Sequence, residues 1–180
     1  MGQMKALLPL DDGTTTLLEK MVDTMGYACR DVIVVLGHEA DRLRAAVPAT
    51  ARTVENLDYD RGMLSSLQTG LAAAGQADFV LFTPVDLPSL QMSTVQAVAQ
   101  HCVPAASVVF PRWGGHRGHP VACGRPAVAA LRNAPASSNA RDVLEHFAQT
   151  SVYVEVDDPG IRMDIDDPAS YHEYLRSAAR

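Results

Sequence analysis

The chain has 180 residues, 47% of them apolar and 20% charged, a size and composition that suit one soluble domain spanning residues 1–180. Its formal net charge of −6 argues against nucleic acid as the main partner, yet leaves room for a small phosphorylated ligand held by a few local cations. No apolar run approaches the roughly 18–20 residues of a membrane span, Met1–Leu10 lacks the core of a secretory signal, and three widely spaced cysteines suggest no disulfide framework, so the expected compartment is a reducing cytoplasm.

Thr16-Leu-Leu-Glu19 reads as a capping box, after which Leu17, Leu18, Met21, Val22 and Met25 fall on one helical face up to Gly26. Asp31–Gly37 is a short β-branched run of the kind found in a strand buried on both faces. A polar helix follows over 39–46, then an extended piece over 52–56 and a helix over 64–74. Asp78–Thr83 is the second buried strand. A helix over 93–101, strands over 107–110 and 120–123, helices over 127–131 and 141–148, a strand over 152–156 and a last helix from Pro168 complete the chain. Strands alternating with helices predict a three-layer α/β/α sandwich around a mostly parallel, Rossmann-like sheet.

In such sheets ligands bind beyond the carboxyl ends of the strands. Thr83-Pro-Val-Asp-Leu-Pro88 lies there, and its Asp86 has two readings: a carboxylate for a hard cation, or the cap of a turn before the next helix. Asp164 and Asp166 alternate around Ile165, so an extended backbone points both to one side, while Asp167-Pro168 suits a helix entry. Arg112–Pro120 combines glycines with cations and reads as a substrate loop; His116, His119 and Cys123 match no common zinc spacing. In Asn56–Gly70, Ser65 or Ser66 opens a helix, either as an ordinary cap or with free amides turned to a polar ligand.

In this order the stretches Met1–Pro9, Asn56–Leu71, Pro84-Val-Asp-Leu-Pro88, Arg117-Gly-His-Pro-Val121, Asn139-Ala-Arg-Asp142 and Asp164-Ile-Asp-Asp-Pro168 resemble the molybdenum cofactor cytidylyltransferase-like nucleotidyltransferases. The Pro-Val-Asp-Leu-Pro and Arg-Gly-His-Pro forms are closer to the cytidylyl than to the guanylyl branch. The resemblance implies Mg²⁺-dependent transfer of CMP from CTP to a phosphorylated pterin, the molybdopterin cofactor, with release of pyrophosphate. It implies Lys5 and Asp86 as catalytic residues, Asp86 and Asp166 as metal carboxylates with Asp164 nearby, and Gly2, Lys5, Asn56 and Ser66 around the nucleotide. Arg117, Gly118 and His119 would then face the pterin.

Members of that family begin with a strand and a glycine-rich loop of the form Leu-Ala-Ala-Gly-x-Ser-x-Arg before Met-Gly-x-x-Lys, whereas this sequence enters the signature at Met1-Gly2. Two explanations are open: the natural protein starts earlier, by about 10–20 residues that supply the strand and loop, or the sheet lacks this strand, which belongs between the strands at 31–37 and 78–83, and activity is weakened or lost. The alternative is a non-catalytic protein that binds the cofactor or docks on a molybdenum enzyme during its maturation, or a related transferase using another nucleotide or acceptor.

Overall fold

The computed structural model describes residues 4–10 and 13–178. Thr16 caps the first helix, α1 (Leu17–Gly26). Its hydroxyl accepts from the Glu19 N–H at 3.2 Å, and the Glu19 carboxylate accepts from the Thr16 N–H at 2.7 Å. This is the reciprocal box that the sequence predicts. Next in the chain are β1 (Ile33–Leu36), α2 (Ala40–Arg44), β2 (Arg52–Glu55), α3 (Met63–Ala73), β3 (Phe79–Phe82) and α4 (Met92–Gln100). The second half adds β4 (Val108–Trp113), β5 (His116–Arg117), β6 (Val121–Gly124), α5 (Arg125–Asn133), α6 (Ala140–Glu145), β7 (Ser151–Glu155) and α7 (Pro168–Ala178).

The strands form two sheets. β1 and β2 pair in parallel, from Ile33 opposite Arg52 to Leu36 opposite Glu55. The other sheet runs β3-β6-β4-β5, with β7 parallel to β4. Within it β6 is antiparallel to both β3 and β4. The reason lies in the connection: the chain returns from β4 through the short β5 hairpin, with no helix to carry it back for a parallel pairing. Among the described residues no ladder joins β1 to β3, the two strands that the sequence places on either side of the family's first strand.

Helices cover both faces of the larger sheet. Along β4, Val108 and Phe110 pack with Leu64 and Leu71 of α3, Leu131 of α5 and Leu144 of α6. Val109, pointing the other way, packs with Val98 of α4, Ala122 and Val154. A third cluster joins Leu17, Met21 and Met25 of α1 to Leu87, Leu90, Val95, Ile161 and Ile165. This third cluster fastens the loop after β3 to the segment before α7. Among the described residues no helix is long and apolar enough to cross a membrane.

Candidate active site

The loop after β3 and the segment before α7 meet edge to edge. The Ile165 N–H donates to the Asp86 carbonyl at 2.9 Å. Ile165 is buried in the cluster with α1, while Asp164 and Asp166 on either side of it are exposed, as the alternation predicts. From the N-terminal side, Lys5 stands on a single turn of 3-10 helix (Lys5–Leu7) and donates from Nζ to Asp166 Oδ1 at 2.8 Å. Three distant parts of the sequence thus bring one cation and three carboxylates together.

The electrostatics agree with this grouping. The half-buried Asp86 carboxyl is raised above its ordinary value, first by lost hydration and further by Asp164 and Asp166; its own backbone and Lys5 oppose the shift. The Lys5 ammonium is raised chiefly by its bond to Asp166. A carboxylate that is short of hydration and crowded by its own charge is a group that a cation relieves.

The N–H of Gln91, the residue before α4, is taken at 3.0 Å by Asp158, a residue that no sequence motif singles out. Asp158 is 1% exposed and also accepts from Thr94 Oγ1 at 2.6 Å and from the Gly160 N–H at 2.9 Å. The signal that could have found it is the Asp-Pro-Gly turn at Asp158-Pro159-Gly160. By contrast Asp167 does cap α7, accepting from the Ser170 N–H at 2.8 Å, which leaves Asp166 to the site.

His119 joins the same neighbourhood. Its N–H donates to the Ile161 carbonyl at 2.9 Å, and its ring meets Phe82, the last residue of β3, edge-on at 6.1 Å. Nδ1 is buried without a hydrogen-bond partner. Burial pushes the imidazole below its ordinary value, against smaller opposing effects of the Phe82 backbone and the Asp86 charge. Gly118 before it has no room for a side chain, since a Cβ there would overlap the Ile161 carbonyl oxygen.

The other predicted residues fall into place less simply. Asn56 is buried: Nδ2 donates to Ser65 Oγ at 2.9 Å and Ser66 Oγ at 3.0 Å, and Oδ1 accepts from the Asp58 N–H at 3.0 Å. Its amide thereby shapes the loop. The expectation that Ser65 or Ser66 opens α3 is corrected as well. Gly62 is the N-cap, and Ser65 lies inside the first turn with its hydroxyl donating back to the Gly62 carbonyl at 2.8 Å. Arg117 turns away toward Glu145, which accepts from it at 2.9 Å, and lies over the Phe110 ring. Gly2 lies outside the described residues.

The donor set fits a hard divalent cation. Among the described residues no three His, Cys, Asp or Glu side chains could cage a metal alone. Magnesium needs no cage, because it favours one or two carboxylates and completes its shell with phosphate oxygens and water. The under-hydrated Asp86 carboxylate and the orphaned Nδ1 of His119 are the two features that ask for such a group.

Lys5, Asp86 and the Asn56–Ser66 loop all lie within residues 1–152, which match the MobA-like NTP transferase domain. The chain belongs to this family. Among its relatives is a probable molybdenum cofactor guanylyltransferase of Mycobacterium tuberculosis strain H37Rv, 36% identical over 118 residues, or 64% of this chain. The chain spans little more than half, 56%, of that relative's length. Another is a nicotine blue oxidoreductase of Paenarthrobacter nicotinovorans, 36% identical over 138 residues, covering 70% of this chain and 66% of that protein. The fold is also seen in Rv0371C of Mycobacterium tuberculosis H37Rv, solved in complex with manganese. It superposes with a TM-score of 0.79 over 97% of this chain and 93% of that one, at 24% identity.

Proposed function

We propose that the chain transfers a nucleoside monophosphate from a nucleoside triphosphate to the terminal phosphate of a molybdopterin-type pterin, releasing pyrophosphate. The observation that carries this reading is the convergence of Lys5, Asp86 and Asp166 at the carboxyl end of β3. A phosphate oxygen of the acceptor attacks the α-phosphorus and the bond to the β-phosphate oxygen breaks. A phosphate monoester is already largely dianionic at neutral pH, so the attack needs no side-chain base. The remaining tasks are to hold two anions together and to offset the charge that spreads over the α-phosphate.

Lys5 meets the second task with a fixed ammonium. Asp86 and Asp166 would hold a divalent ion, which supplies Lewis-acid stabilisation of the phosphoryl oxygens. In this reading Asn56 keeps Ser66 in place for the nucleotide, while Gly118 and His119 border the acceptor. Arg117 would reach the acceptor only by leaving Glu145. In this reading the chain works as one nucleotidyltransferase domain, and the pairing of Asp166 with Lys5 supports it.

The donor base is open to direct test. The Pro84–Pro88 and Arg117–Val121 stretches favour CTP, and the guanylyltransferase relatives favour GTP. Calorimetric titration of each nucleotide with Mg²⁺ separates them: at least tenfold tighter binding of one assigns the donor. Binding of neither would overturn the transferase reading in favour of a cofactor-docking role.

A further inference from the structure

The proposed metal site has too few protein ligands to surround an ion, so several of the ion's positions would be filled by water. Water on a divalent cation is a strong donor and needs fixed acceptors around it. Carboxylates that bind the ion directly have much of their acceptor capacity used. A second layer of acceptors therefore decides how firmly such an ion is held.

One buried acceptor close to Asp86 lacks a partner. His119 Nδ1 is enclosed without a hydrogen bond, and its ring lies near enough to Asp86 to feel that charge. The ring cannot easily turn away. Phe82 packs against it, the His119 N–H is tied to Ile161, and the Gly118 N–H is tied to Pro111 at 3.0 Å. Ile161 and Phe82 belong to the two segments that carry Asp164–Asp166 and Asp86. The imidazole is thus built into the frame that sets the distance between the two metal carboxylates. Desolvation keeps it neutral, and a neutral imidazole has one donor nitrogen and one acceptor nitrogen. A water donor placed beside the unpartnered Nδ1 would select the tautomer in which Nδ1 is the acceptor.

We infer that His119 is an outer-sphere positioning residue, with Nδ1 accepting a hydrogen bond from a water molecule on the divalent ion held by Asp86 and Asp166. This rests on the proposed metal role of those two carboxylates. It adds a determinant of ion affinity that touches neither the ion nor the nucleotide.

Mn²⁺ is the probe, followed by the loss of the free-ion electron paramagnetic resonance signal as the full chain is titrated. His119→Leu removes the acceptor and is expected to weaken Mn²⁺ binding about 10–100-fold, the usual cost of losing an outer-shell partner. His119→Asn sets a carbonyl oxygen near the position of Nδ1 and is expected to keep most of the affinity. His119→Phe preserves the ring against Phe82 and carries the same comparison should the leucine variant not fold. Wild-type affinity in the leucine or phenylalanine variant would overturn the role of His119 and leave the metal site standing. Equal losses in the asparagine and leucine variants would also overturn it, because shape and not an acceptor would then be what matters. If the wild-type chain takes up no Mn²⁺ that Asp86→Asn abolishes, the metal reading falls and this inference with it.

Discussion

Asp86 is held in surroundings that make its ionised form costly, and this gives its replacement two opposite effects. A carboxyl whose folded value is raised binds its proton more tightly in the folded state than in the unfolded one. Stability therefore falls as pH rises from about the unfolded value of 3.8 through the folded titration. Asp86→Asn removes the buried charge and keeps the shape. The variant should melt at a higher temperature than the wild type at pH 7, with the difference shrinking as the pH is lowered below the unfolded value of 3.8. Its turnover should fall by about a thousandfold, the scale of losing several kcal/mol of metal-assisted stabilisation. Thermal melts across this pH range check the first part and initial rates the second. A lower melting temperature at pH 7 would mean that Lys5 already compensates the carboxylate in full.

At the scale of elements, the site depends on a clamp that has no chemistry of its own. The segment Pro159–Arg162 is pinned to the start of α4 by Asp158, which accepts from Gln91, Thr94 and Gly160 together. Gly160 lies so close to the Ser89 carbonyl that a Cβ would overlap it. In Asp158→Asn one amide hydrogen must face a backbone N–H or the Thr94 hydroxyl, so a buried, charge-assisted network is broken. The expected loss is about 3 kcal/mol, measured by urea unfolding; a loss under about 1 kcal/mol would show that the network is replaceable.

This clamp also marks where the sequence alone stops being informative. The helices and strands are legible because their signals are local: the Thr16 and Glu19 pair, the β-branched run at β1, and the alternation around Ile165. The candidate metal carboxylates are legible through motifs in which each residue stands beside its signature. Asp158 is not, because two of its three partners are 64 and 67 residues away and nothing in Asp157-Asp158-Pro159 distinguishes a clamp from a turn. The same holds for Asn56, whose motif position suggests a ligand and whose three hydrogen bonds turn it inward. The direction of β6 is hidden too, since periodicity reports burial and not the sense of pairing.

For the whole molecule, the three cysteines happen to sample the three packed clusters. Cys29 packs against the cluster of α1 and Ile165, Cys123 lies within that of α3 and α5, and Cys102 borders that of α4. Burial raises all three thiols, Cys102 to about 11 and Cys123 to about 12, from an ordinary 9.0. The thiolate is the reactive form, so a shift of this size leaves Cys123 with about a thousandfold less of it at pH 8 than a free thiol has, before access is considered. Labelling of Cys123 in the native chain should therefore proceed only through opening of the fold, and its rate should track global stability. Cys29, on the cluster that holds Asp86 and Ile165 together, should label faster and should slow when nucleotide and Mg²⁺ bind, because a ligand that bridges those two segments suppresses their separation. Mass-resolved alkylation of the native chain, with a urea-unfolded control, measures all three rates at once. Equal rates at Cys29 and Cys123 would mean that the site and the sheet open as one unit. A rate at Cys29 that ligand leaves unchanged would mean that the site segments do not separate in the free protein, and that the clamp at Asp158 already holds them closed.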